Sequence, residues 1–441
     1  MSKGHVMNRW FVVLGAILIQ LCLGAIYAWS VFTPELLDAG WSKLDTQIVF
    51  AVGLASFAIV MVFAGRKLKD WGPQRLAVIG GLVLGLGYIL AGLSGGTNFW
   101  AVCLGVGLVG GAGIGLGYVV PIAVGMRWFP DHKGLITGLA VAGFGFGAMG
   151  WVKIAGAWGE LITAFGIAQT FIVYGIAFAS LVLIGSLWMR MPPKGWLPEK
   201  FHPPQQKAGA GGEDFKPEEM MGTPQFYLIF FTFAVSAGAG LMSIGLMKLY
   251  PMEALQAAGY TLAEASAIAG TAMAVFFSIA NGVGRIVWGT LSDKLGRKRS
   301  VVTMAASQGL ILLAFISMAG NEYLLYLGAM LIGFNFGGNF ALFPALTADE
   351  FGNRSVGQNY PFIFLSYGVG GIAFPILGGL LGDMGNFPLA FAICGGACLI
   401  GAAASAIVFP PHHDEATKHF SVHGFLHQGH FFDHDEIHHK A

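Results

Sequence analysis

Charged and uncharged positions along this chain hardly mix. Stretches free of Asp, Glu, Lys, Arg and His cover 10–34, 46–65, 76–126, 134–152, 161–189, 220–247, 265–284, 300–321, 323–348, 355–382 and 384–411. A helix of about 20 apolar residues is long enough to cross the hydrocarbon core of a bilayer. The run 76–126 has room for two such helices and is interrupted at "SGGTN" (94–98), so the eleven runs predict twelve membrane helices. Between the sixth and seventh lies "MPPKGWLPEKFHPPQQKAGAGGEDFKPEEMMGTP" (191–224), too rich in Pro, Gly and charge to bury a core. The pattern therefore divides the chain into a six-helix half at 1–190, a linker at 191–223, a second half at 224–410 and a tail at 411–441. The expected fold class is an all-α membrane protein of twelve helices in two halves.

Composition agrees with that pattern. Only 11% of the 441 residues are charged and 55% are hydrophobic, whereas a soluble domain carries about 25% charge. The first apolar run, "WFVVLGAILIQLCLGAIYAWSVF", is too long for a secretory h-region and has no small-residue cleavage site. Net charge is +1 and points to no nucleic-acid partner. The distribution of charge is more informative. With alternating helices, 20 of the 24 Lys and Arg residues fall on one side, and Lys43, Lys153 and Lys248 on the other. The positive-inside rule makes the first side cytoplasmic and places both termini there. Arg285 is the remaining cation, within the eighth helix.

The chain also repeats itself. "GRKLKDWGPQR" starts at Gly65 after helix 2, and "GTLSDKLGRKR" starts at Gly289 after helix 8, 224 residues later. Two six-helix repeats related by an axis along the membrane normal form a transporter architecture, with the substrate site near the midplane between them. Elsewhere the chemistry is thin. "GVGLVG" (105–110) matches a dinucleotide-binding pattern but lies inside an apolar run, where small residues let helices approach. There is no HExxH, P-loop or nucleophile elbow, so neither an enzyme nor a cofactor is expected. Cys22, Cys103, Cys394 and Cys398 lie in apolar runs and read as packing residues. The histidines of the tail at 419, 423 and 427, and at 430, 434 and 438, recur every four residues; the tail is read as a solvated cytoplasmic segment, with no metal site assigned.

Arg285 is the residue that has to be explained. It lies eight residues before Asp293, about 12 Å deeper along a helix. A central arginine costs about 2.5–3.5 kcal/mol on insertion scales and cannot shed its proton. Snorkelling to the headgroups over that distance is a poor solution. A planar guanidinium fork is instead suited to a carboxylate, held by two parallel hydrogen bonds. Asn281, four residues earlier, shares its helix face. Tyr118, with Pro121 three residues on, offers a hydroxyl from helix 4. Tyr360, Phe364 and Tyr367 form one aromatic stripe on helix 11. Tyr27, Phe144, Asn335 and Asn339 are further cavity candidates, and Pro375 is a candidate gating hinge. Lys248 and Lys153 end helices 7 and 5 on the outer side, either as interfacial lysines or as a lure for anions.

Several of these stretches resemble a known family. Gly289, Asp293, Lys294, Gly296, Arg297 and Lys298 match the loop motif of the major facilitator superfamily, while the first copy departs from it, with Lys69 before Asp70. "NRWFVVLGAILIQLCLGAIYAWSVF" (8–32), "RWFPDHKGLITGLAVAGFGFGA" (127–148), "NGVGRIVWGTLSDKLGRK" (281–298) and "PALTADEFGNRSVGQNYPFIFLSYGVGG" (344–371) resemble its oxalate/formate antiporter family. That family is a bacterial relative of the proton-linked monocarboxylate transporters. The resemblance implies that Arg285 binds the substrate carboxylate, that helix 11 contributes cavity residues such as Phe364 and Tyr367, and that Asp293, Gly289, Gly296, Arg297 and Asp70 take part in gating. Animal monocarboxylate transporters carry an aspartate where Asn281 stands. Oxalate carriers of the family add a lysine in helix 11, and this helix has none. The expectation is a monomeric carrier of a small monocarboxylate, lactate-like and accompanied by H⁺, in the inner (cytoplasmic) membrane. An anion exchanger and a transporter-derived carboxylate sensor are the alternatives. Every Asp and Glu, Glu35 included, is read at a helix end or in a loop, so the proton is expected to travel on the substrate itself.

Overall fold

A computed structural model describes residues 7–129, 133–156, 159–193, 196–198, 215–352 and 356–407. The histidine-rich tail, most of the linker and the side chain of Asp293 lie outside the described residues. The long helices are α1 (Trp10–Asp38), α2 (Lys43–Trp71), α3 (Pro73–Leu93), α4 (Phe99–Gly125), α5 (Lys133–Ala155), α6 (Leu161–Ser186), α7 (Pro224–Leu246), α8 (Leu262–Ser292), α9 (Arg297–Met318), α10 (Glu322–Phe351), α11 (Gln358–Asp383) and α12 (Phe387–Ala406). Among the described residues eleven are long and apolar enough to cross a membrane, and α5 adds a shorter apolar stretch, Val141–Ala155. The break at 94–98 falls between α3 and α4, with Gly95 and Gly96 at φ of 93° and 75°.

Local sequence accounts for where the helices start. Ser42 accepts a bond from the Asp45 N–H while the Asp45 carboxylate accepts from the Ser42 N–H, a capping box at the head of α2. Thr261 and Glu264 do the same before α8. The repeat is visible in the backbone. Gly72 (φ 78°, ψ 156°) ends α2, and Gly296 (φ 88°, ψ 146°), 224 residues later, follows α8. Both sit in a region that L-residues with a Cβ rarely adopt. The two copies of the loop motif thus make the same turn.

The first six helices meet the last six along two seams. On one, α2 packs on α11: a Cβ added at Gly371 would lie 2.8 Å from Leu54 Cβ. On the other, α5 packs on α8, where a Cβ at Gly145 would meet the Gly282 backbone nitrogen at 3.0 Å. Neither glycine can be enlarged without pushing the helices apart. Among the described residues three helices carry non-α windings, and α6 is kinked at Gly166 (φ 80°, ψ 171°). In α1 the stretch Gly24–Phe32 is a 3₁₀ segment, and Cys103–Gly110 in α4 and Ala272–Phe277 in α8 are π segments. Such windings are common at functional segments and at strained ones, and the α1 and α8 segments lie beside or just before the residues described next.

Candidate functional site

Arg285 lies between the two six-helix sets and is 1% exposed. Its helix is held close to α10 because Gly337 opposes the Asn281 carbonyl, where an added Cβ would approach to 2.1 Å. Arg285 Nε donates to Asn281 Oδ1 at 3.2 Å. Since the guanidinium can only donate, that bond fixes the amide's orientation and turns Nδ2 away as a donor. The guanidinium carbon stands 4.1 Å from the Phe340 ring centroid and 5.6 Å from that of Phe144. Each face contact contributes about 0.5–2 kcal/mol.

What remains of the charge is unpaired. Nη1 and Nη2 of Arg285 and Nδ2 of Asn281 are buried and make no hydrogen bond. A buried donor left without an acceptor costs about 1–3 kcal/mol, and more when charged. The arrangement presents donors only, on a cation, inside aromatic walls. Chemically such an arrangement can receive a small anion, and a carboxylate matches the two Nη groups as a pair.

The other candidates converge on this point. Tyr27, Tyr118, Phe144, Asn281, Phe364 and Tyr367 are each 2% exposed or less, so the box is closed toward both ends. Tyr27 Oη lies 3.1 Å from Tyr367 Oη. Tyr118 touches Phe144 edge-on, centroids 5.3 Å apart, and Phe364 stacks on Tyr367 at 4.8 Å. Tyr27 and Tyr118 also lie within electrostatic reach of Arg285. Tyr360 meets Phe364 edge-on, centroids 5.7 Å apart.

Sequence reasoning missed Phe57 and Phe340. Phe57 contacts Tyr118, Phe144, Phe364 and Tyr367 with centroids 5.1–6.0 Å apart. Phe340 supports the guanidinium itself. The repeat offset of 224 residues maps Asn281 back onto Phe57, a signal that could have found it. Asn335 is engaged away from Arg285, while Asn339 turns its amide nitrogen onto its own helix and keeps Oδ1 buried and unpaired. Asn335 bridges Trp288 Nε1 (3.2 Å) and Ser307 Oγ (3.0 Å), and the Asn339 amide bonds carbonyls of its own helix.

The gating candidates sit apart from the box. Arg297 donates to Ser292 Oγ, approaches the Gly289 carbonyl at 3.5 Å and pairs with Asp349 at 3.4 Å. Asp70 is exposed, 3.8 Å from Lys67 on the same helix, a contact of little energetic weight. Pro375 is buried within a continuous α11.

At the outer ends the lysines are not simply interfacial. Lys248 Nζ donates to Ser266 O (2.6 Å) and Oγ (2.8 Å), and Lys153 Nζ bonds Thr271 Oγ1 at 3.3 Å, joining α5 to α8. Burial lowers Lys248 from the usual lysine value to about 8; Glu35 opposes the shift and Lys153 adds to it. Glu35, expected at a helix end, has a carboxylate oxygen enclosed without a hydrogen bond.

The chain is similar to several known proteins. The family model described as Major Facilitator Superfamily matches residues 10–276 and 256–427. An uncharacterized MFS-type transporter of Escherichia coli (strain K12) is 30% identical over 371 residues, covering 83% of this chain and 86% of that protein. The oxalate:formate antiporter of Oxalobacter formigenes is 24% identical, covering 93% of each chain. An apicoplast pyruvate carrier of Toxoplasma gondii is also 24% identical, over 84% of this chain and 83% of the carrier.

Proposed function

The chain belongs to the Major Facilitator Superfamily, and from that premise we propose that it carries small monocarboxylates, lactate- or pyruvate-like, across the inner membrane together with a proton. It acts as a carrier and makes no covalent bond to its cargo. The halves, taken as 1–190 and 224–410, rock about the box in alternating access. The observation that carries the reading is the buried Arg285, whose two Nη groups have no partner. A carboxylate supplies the acceptors and the counter-charge together. A single cation suits one carboxylate, and the aromatic walls suit a short carbon chain. The proton has an electrical rationale: an anion entering against a negative-inside potential costs about 2.3 kcal/mol per 100 mV, and one proton cancels that charge.

The test is uptake of labelled L-lactate into proteoliposomes, with and without an inward proton gradient, for the parent and Arg285→Lys. Lysine keeps the charge and loses the fork. The expected result is gradient-driven accumulation in the parent and loss of at least 90% of it in the variant. Exchange on a relative's pattern is the second reading, favoured by the similarity to the oxalate:formate antiporter over 93% of the chain. Counterflow that ignores the pH gradient would select it.

A further inference from the structure

The walls of the box are mostly carbon. Phe57, Phe144, Phe340 and Phe364 offer rings, and Arg285 Nη1 and Nη2 and Asn281 Nδ2 offer N–H donors, while Asn281 Oδ1 is already taken by Arg285 Nε. The hydroxyls of Tyr27 and Tyr367 differ. They lie 3.1 Å apart, one from α1 and one from α11, so the pair bridges the two six-helix sets. Both side chains are 0% exposed. A phenol both donates and accepts. One proton is shared between the two oxygens, which leaves a second proton and spare lone pairs beside the charged fork.

We infer that the Tyr27–Tyr367 hydroxyl pair reads the oxygen on the carbon next to the carboxylate, making 2-hydroxy and 2-oxo monocarboxylates the preferred substrates over plain short-chain acids. The inference rests on the carboxylate reading of Arg285 and adds to it a basis for selectivity. With the carboxylate on Arg285, an α-hydroxyl both donates and accepts, and the tyrosine pair can answer either way. An α-keto oxygen only accepts, and the free phenolic proton serves it. Because the two tyrosines come from opposite sides of the seam, an oxygen held between them also ties the closed halves together.

The arrangement also sets the size of the effect. A site that strands its own polar groups rejects a deoxy analogue by 10⁴ or more. Here a plain acid leaves the tyrosines bonded to each other, so nothing is stranded. The preference is then that of one or two net hydrogen bonds, about tenfold.

The experiment is counterflow of labelled L-lactate in proteoliposomes of the full chain, competed by unlabelled lactate, pyruvate and propionate. Propionate has lactate's carbon skeleton without the hydroxyl. The parent should favour lactate over propionate by about tenfold, and in Tyr27→Phe/Tyr367→Phe that ratio should fall to about one. A parent with no preference overturns the inference, as does a double variant that keeps the full ratio. Loss of the ratio in Tyr118→Phe with retention in the double variant overturns it too, by assigning the reading to the third phenol. Should the double variant not exchange at all, the same competition on each single variant decides, with either partial loss or full retention of the ratio. Failure of the carboxylate site looks different: neither acid competes in the parent, or Arg285→Lys exchanges normally.

Discussion

At the residue scale the site depends on what stands four positions before Arg285. Asn281 accepts from Nε at 3.2 Å and brings no charge. An aspartate there would place a carboxylate on the guanidinium and fill the role meant for the substrate. Asn281→Asp should therefore weaken lactate binding at neutral pH by tenfold or more. That carboxylate would stay paired with the guanidinium at neutral pH. Titration calorimetry would check this, and parent-like binding at pH 7 would contradict it. Arg285 could be found in the sequence because a charge stands out in an apolar run. Tyr27, Tyr118 and Tyr367 could be found by their polar tips. Phe57 and Phe340 could not, since one phenylalanine among 36 carries no contrast until neighbouring helices show what it faces.

At the scale of elements, the outer ends of the halves are joined backbone to carboxylate. Asp383, at the end of α11, accepts from the Lys43 and Leu44 N–H groups at 2.8 and 3.0 Å. A negative charge at the head of α2 also meets the positive end of the helix dipole. The Lys43–Glu253 ion pair beside it is exposed and adds little. Asp383→Asn should loosen this end. In a background lacking the four native cysteines, a cysteine at Ser266 should then react several-fold faster with an impermeant thiol reagent applied from outside. An unchanged rate would mean that other contacts hold the outer face shut. The helices themselves were legible from the spacing of charge, and the break at 94–98 from its glycines. The irregular windings of α1, α4 and α8 were not, because they depend on packing against neighbours and leave the apolar pattern intact.

At the scale of the whole molecule, the three outer cations do not act alike. Lys43 is held in the clamp, whereas Lys153 and Lys248 bond Thr271 and Ser266 of α8, and we propose these two as a lure for entering anions. With Lys248 lowered to about 8, its charge is complete below that pH and lost above it. Lactate counterflow at limiting concentration, with equal pH on both sides, should fall as pH rises through about 8, and Lys248→Gln should flatten that step. A parent profile flat from pH 7 to 9 would remove Lys248 from the entry path. The depth of Glu35 was hidden in the sequence for a related reason. A position near a helix end reads as solvated, yet here the helices around it enclose one carboxylate oxygen.

The unpaired fork of Arg285 also bears on the pace of the transport cycle. An empty box takes the guanidinium unpaired through every reversal of the halves, while a box holding a carboxylate takes it paired. The unloaded return is then expected to be the slow leg. A carrier built this way swaps cargo for cargo faster than it accumulates it, so substrate waiting on the far side should speed entry from the near side.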